Sequence, residues 1–161
     1  MATPTKTSPP SVVIDANVVI ALCAKEPDKQ LNAEKKINEY ASGGSHFFAP
    51  GVIVAECLYI FCKKLTDGVI TAIEHGLAIQ AFIAMMAMID PPPSGDKSLI
   101  QRAEEIRKTY GCSHSADGIY LALAEELSKT GTTEVVTFDK GMKNQAAASS
   151  LIPDVVVLLT V

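Results

Sequence analysis

Apolar runs alternate along the chain with mixed-charge helical stretches. Ser11 to Ile14 is a β-branched run that ends on Asp15, and Val18 to Ala24 continues as an apolar helix. From Lys29 to Tyr40, the apolar Leu31, Ile37 and Tyr40 recur among charges, which predicts an exposed amphipathic helix closed by Gly43 and Gly44. His46 to Ala49 predicts a second strand. Pro50 opens a helix to about Leu65, and Thr66 begins another that reaches about Met88, whose run from Leu77 to Ile89 reads as buried.

Ile89 and Asp90 predict a brief strand, stopped by Pro91, Pro92 and Pro93. Ser98 to Tyr110 and Ser115 to Lys129 read as helices. Between Glu134 and Phe138 lies a strand of parallel-sheet character ending on Asp139, followed by a helix to about Ser149 and a last buried strand from Val155 to Leu159. Strands separated by helices predict the α/β class, a three-layer α/β/α arrangement with right-handed crossovers around a mostly parallel sheet.

With 161 residues, the expectation is one domain over 11–161 behind a disordered segment at 1–10. The 48% hydrophobic and 20% charged fractions support a sizeable core. The run Leu77 to Ile89 falls short of the roughly 20 residues a membrane span needs. Asp15 and Asn17 interrupt the apolar stretch that a signal peptide would keep clear. Cys23, Cys57, Cys62 and Cys112 form no C-x-x-C, and three lie in apolar helical segments, which predicts free thiols in a reducing cytoplasm.

The net charge is 14 − 18 = −4, so bulk composition carries no basic nucleic-acid footprint. The acids are instead placed with a pattern. Asp15 and Asp139 each follow a predicted strand, and Asp117 falls in the first turn of its helix, two residues after Ser115. An aspartate at a helix start has an ordinary capping or dipole role. Glu56 is different, because it is the only charged residue from Val52 to Cys62. It predicts either an internal pair with Arg102, Arg107 or a lysine, or a metal-ligand role.

In a doubly wound sheet, ligands bind outside the carboxyl ends of the strands, at the switch in strand order. Asp15, Glu56, Asp117 and Asp139 all belong at that edge. Like charges about 6 Å apart repel by roughly 3 kcal/mol at an effective dielectric of 20, so convergence requires cations or protons. Oxygen donors favour Mg²⁺ or Mn²⁺. Removing these four acids from 18 leaves 14, equal to the 14 Lys and Arg, so the net acidity is no larger than the proposed site.

Val13-Ile14-Asp15-Ala16-Asn17, Glu56 in its helix, Ser115-Ala116-Asp117-Gly118-Ile119 and Thr137-Phe138-Asp139-Lys140 together resemble the four acidic motifs of PIN-domain nucleases, in order and in β/α context, over about residues 11–161. The short single-domain form most resembles VapC-type toxins of toxin–antitoxin pairs. The resemblance implies an endoribonuclease that uses Mg²⁺ or Mn²⁺ held by Asp15, Glu56, Asp117 and Asp139, with Asn17, Thr137 and Ser115 in support, and an antitoxin protein as partner. Gly118 departs from the pattern, standing where many relatives carry Ala, and is expected to loosen the first turn of its helix.

Lys140 and Lys143 are placed to meet RNA phosphates, although solvated surface charge explains them equally well. His114 has no second ligand at zinc-like spacing. Met85, Met86 and Met88, within the apolar Thr66 to Met88 region, suit core filling or a homodimer face. Two other classes compete. A haloacid-dehalogenase-like phosphatase places Asp after its first strand but needs another two residues on, where this chain has Asn17. A non-catalytic PIN-fold interaction module would keep the fold without the chemistry.

Overall fold

The computed structural model of the chain describes residues 7–109, 117–151 and 153–161. Five strands, β1 (Ser11–Ile14), β2 (His46–Phe48), β3 (Ile89–Asp90), β4 (Thr133–Thr137) and β5 (Val156–Leu158), form one all-parallel sheet in the order β3-β2-β1-β4-β5. Among the described residues the helices are α1 (Ala16–Cys23), α2 (Gln30–Ser42), α3 (Val52–Thr66), α4 (Ala72–Met86), α5 (Asp96–Thr109), α6 (Asp117–Ser128) and α7 (Lys140–Gln145). They segregate into two packed groups, α1 with α2, α3 and α4, and α6 with α5 and α7, giving the expected three-layer α/β/α fold.

The central strands are apolar on both faces because helices cover both. Val12, Val13, Ile14, Val135 and Val136 are buried, as is nearly all of α1 and α6. After β1 the chain builds β2 and β3 on one side, then crosses to place β4 on the other. The switch in strand order therefore falls between β1 and β4, the strands that precede Asp15 and Asp139.

The predicted elements are found with three corrections, one being that β5 is an edge strand in which Val156 is buried and Val157 and Leu158 are half-buried. Thr66 ends α3 and does not start the next helix. The start of α4 is set by Thr71, whose hydroxyl accepts from the Glu74 amide at 3.2 Å while the Glu74 carboxylate accepts from the Thr71 amide at 2.7 Å. This reciprocal capping box satisfies two otherwise orphaned amides, and Thr66 has no such partner three residues on. Gly68, at φ +69°, turns the chain between the helices.

The stretch Leu77 to Ile89 is not a buried helix. Only Ala78 and Phe82 of α4 are buried, while Ile73, Leu77 and Ile83, with Met88 just beyond, are exposed; Met85 and Met86 pack partly against the core. On α3, Ile53, Cys57 and Phe61 face the core and Val54, Leu58 and Tyr59 face solvent. Hydrophobicity all round these helices thus leaves an uncovered apolar face.

Gly118 has a packing role besides its helix propensity. A Cβ there would lie 2.7 Å from the Ala103 carbonyl oxygen of α5, so the glycine permits close approach of α5 and α6. Nearby, Arg102 of α5 grips Glu125 of α6 through Nε and Nη2 at 2.7 and 2.8 Å, and Glu125 also accepts the Ser150 amide at 2.6 Å. This fork ties both helices to the segment after α7. Arg102 is thereby committed away from Glu56. No helix among the described residues is long and apolar enough to cross a membrane. Cys23, Cys57 and Cys62 are free thiols, and Cys112 lies outside the described residues.

Candidate active site

The four acids line a single cavity of about 320 Å³ at the carboxyl edge of the sheet, together with Ala16, Asn17, Ile20, Tyr59 and Ile60. The chain direction explains this. Asp15 follows β1 and occupies the N-cap position of α1 without a side-chain capping hydrogen bond, Asp139 follows β4 and caps α7, Asp117 opens α6, and Glu56 lies one turn into α3.

Thr137 organises the β1/β4 side. Its hydroxyl donates to Asp15 Oδ2 at 2.6 Å and accepts from Asn17 Nδ2 at 3.2 Å and from the Asp139 amide at 2.9 Å. A hydroxyl offers one donor and two acceptor sites, and all three are engaged. Asn17 Oδ1 also accepts the Phe138 amide at 3.1 Å, and Asp139 Oδ1 accepts the Gly141 amide at 2.7 Å. Asn17 and Thr137 thus bond to each other, and Thr137 to Asp15 and the Asp139 amide, whereas Ser115 and His114 lie outside the described residues.

The α3/α6 side holds two residues that sequence reasoning missed. Tyr120, buried one turn into α6, donates its hydroxyl to Glu56 Oε2 at 2.6 Å, and Gln145 at the end of α7 donates to Asp117 Oδ2 at 2.9 Å. Glu56 is half-buried, and its hydrogen-bond partner is this phenol, not Arg102. Neither residue carried a local signal, since an apolar-helix Tyr and a short-helix Gln look like packing and surface positions.

Burial is the main cause that pushes Asp15 up to about 7, and the charges of Asp117 and Glu56 add to it; the Thr137 hydrogen bond pulls the other way. Burial also raises Glu56, against the Tyr120 hydrogen bond. Desolvation therefore outweighs mutual repulsion in destabilising these charges. Each acid is drawn toward a protein partner, and among the described residues no three His, Cys, Asp or Glu side chains stand close enough to grip one ion as arranged. The donor set itself is four carboxylates lining one cavity, the chemistry that suits a hard divalent cation. Lys140 and Lys143 are exposed on α7, and neither lines the cavity.

The PIN domain family model matches residues 12–148, and the chain belongs to that family. The fold is similar to the crystal structure of FitAcB from Neisseria gonorrhoeae, with a TM-score of 0.52 and 18% identity over 88% of this chain and 97% of that one. A search of curated proteins gave no match.

Proposed function

We propose that the chain is an endoribonuclease that depends on Mg²⁺ or Mn²⁺ and hydrolyses RNA phosphodiester bonds at the four-carboxylate cavity. The observation that carries this reading is that Asp15, Glu56, Asp117 and Asp139, from four separate elements, share one cavity at the strand-order switch. These four side chains would hold the cation, which supplies a polarised water and offsets charge on the phosphodiester. Thr137 and Tyr120 orient two of the carboxylates, and Ile20 and Ile60 add apolar side chains to the cavity lining.

A phosphatase of the haloacid-dehalogenase kind is disfavoured by a specific contact. The residue two beyond Asp15 is Asn17, whose amide is committed to Thr137 and to the Phe138 backbone, so it supplies no acid there. Within that family we propose a toxin of a toxin–antitoxin pair acting in the cytoplasm, with the antitoxin placing an Arg or Lys among the four acids. Exposed apolar side chains on α3 and α4 support a homodimer.

The test is incubation of purified protein with mixed RNAs in Mg²⁺ or Mn²⁺, with and without chelator. Cleavage lost in chelator and in Asp15→Asn supports the reading. Cleavage that survives both, or RNA binding with no cleavage under any metal, overturns it, the latter in favour of a non-catalytic module.

A further inference from the structure

Tyr59 is the one aromatic among the described residues that line the cavity, and it is 66% exposed. It follows Glu56 by three positions on α3 and precedes Lys63 by four, so it stands on the flank that carries Glu56. Val54 and Leu58, which belong to the apolar α3/α4 face, fall on the other flank of the buried stripe formed by Ile53, Cys57 and Phe61. Tyr59 is therefore a feature of the cavity more than of that apolar face.

Its ring is also open. Among the described residues Tyr40, Phe61 and Phe138 each have an aromatic or cationic neighbour against the ring, and Tyr59 has neither. Lys63, the nearest cation along the helix, pairs with Asp67 at 2.6 Å. The cavity lining thus combines four carboxylates, suited to a cation beside a phosphate, with Ile20, Ile60 and the Tyr59 ring, suited to the face of a base.

We infer that Tyr59 is a stacking platform for an unpaired nucleobase next to the scissile phosphate. A duplex keeps its bases stacked on one another and offers no face to the ring, whereas an unpaired base does. The inference rests on the ribonuclease reading and adds a positioning and specificity residue to it.

The experiment measures affinity for a labelled random-sequence single-stranded RNA and for a hairpin with a fully paired stem, with Ca²⁺ in place of Mg²⁺, for wild type, Tyr59→Phe, Tyr59→Leu and Tyr59→Ala. Ultraviolet crosslinking with peptide mapping and light scattering accompany it. Expected are a crosslink on Tyr59, single-strand affinity retained in Tyr59→Phe, and a loss of roughly 5- to 150-fold in Tyr59→Ala, the range that base–aromatic stacking spans. Tyr59→Leu, which keeps apolar area without a ring, should lose affinity as well; the paired stem should bind weakly to all four.

Single-strand affinity unchanged in Tyr59→Leu and Tyr59→Ala, with no adduct on Tyr59, overturns the inference and leaves the ribonuclease reading intact. A change confined to oligomeric state assigns Tyr59 to contact between copies and overturns it too. If wild type neither binds nor cleaves any RNA, the ribonuclease reading fails along with it.

Discussion

Thr137, the last residue of β4, donates a 2.6 Å hydrogen bond to Asp15, which follows β1, across 122 positions of sequence. The same hydroxyl accepts from Asn17 and from the Asp139 amide, so one atom fixes two of the four acids and the entry into α7. Thr137→Val keeps the shape and removes all three contacts. It should destabilise the fold by about 1–3 kcal/mol, because buried donors lose their acceptor. Thr137→Ser should lose much less. Denaturant melts of the two variants give the comparison.

Asp15 sets a pH dependence. Its folded pKa, about 7, lies above the ordinary 3.8, so between those values the folded chain binds more protons than the unfolded one. Without divalent ions, the Asp15 contribution is fully present below about pH 4 and is lost as pH rises through 7, by at most about 4 kcal/mol. Asp15→Asn should flatten that slope. Divalent ions compete with the proton, so Mg²⁺ should stabilise wild type more at pH 8 than at pH 6. Melts across pH, with and without Mg²⁺, read both effects.

Tyr120→Phe removes the hydrogen bond that favours the charged form of Glu56 and keeps the ring in the core. The protein should fold with a cost of about 0.5–1.5 kcal/mol. Metal affinity should fall about 10- to 100-fold, the usual effect of losing a partner that orients a ligand. Calorimetric titration with Mn²⁺ measures this, and unchanged affinity would remove Glu56 from the metal-binding set.

Gly118→Ala tests the close approach of α5 and α6. Helix propensity alone predicts a gain of about 1 kcal/mol. The 2.7 Å contact with the Ala103 carbonyl oxygen predicts a loss of about 1–3 kcal/mol, because backbone must move. A less stable variant in urea melts is the expected result.

The uncovered face of α3 and α4 gives the homodimer prediction. Light scattering should report twice the 17.1 kDa chain mass, and Leu58→Glu with Ile83→Glu should return it to one chain mass without unfolding, since both residues are exposed in the single chain. A wild type that stays at one chain mass across micromolar concentrations contradicts this.

The sequence by itself determined the strands, their parallel pairing in an α/β sheet and the positions of Asp15, Asp117 and Asp139 at element ends, because β1 and β4 are short β-branched runs followed closely by an aspartate and Asp117 opens a helical run. The capping box of Thr71 and Glu74 was equally legible, since its signal is local; only the choice of Thr66 obscured it. Tertiary structure alone decided the rest. The apolar neighbours of Glu56 left an internal ion pair and a metal-ligand role both open, and only the fold shows it half-buried against Tyr120; hydrophobic pattern cannot distinguish a core face from a face left for another surface, and α3 exposes Val54 and Leu58. Tyr120 with Glu56, Gln145 with Asp117 and Gly118 with Ala103 join positions distant in sequence. Such pairings depend on how helices pack to within an ångström, and no periodicity along a single chain encodes that distance.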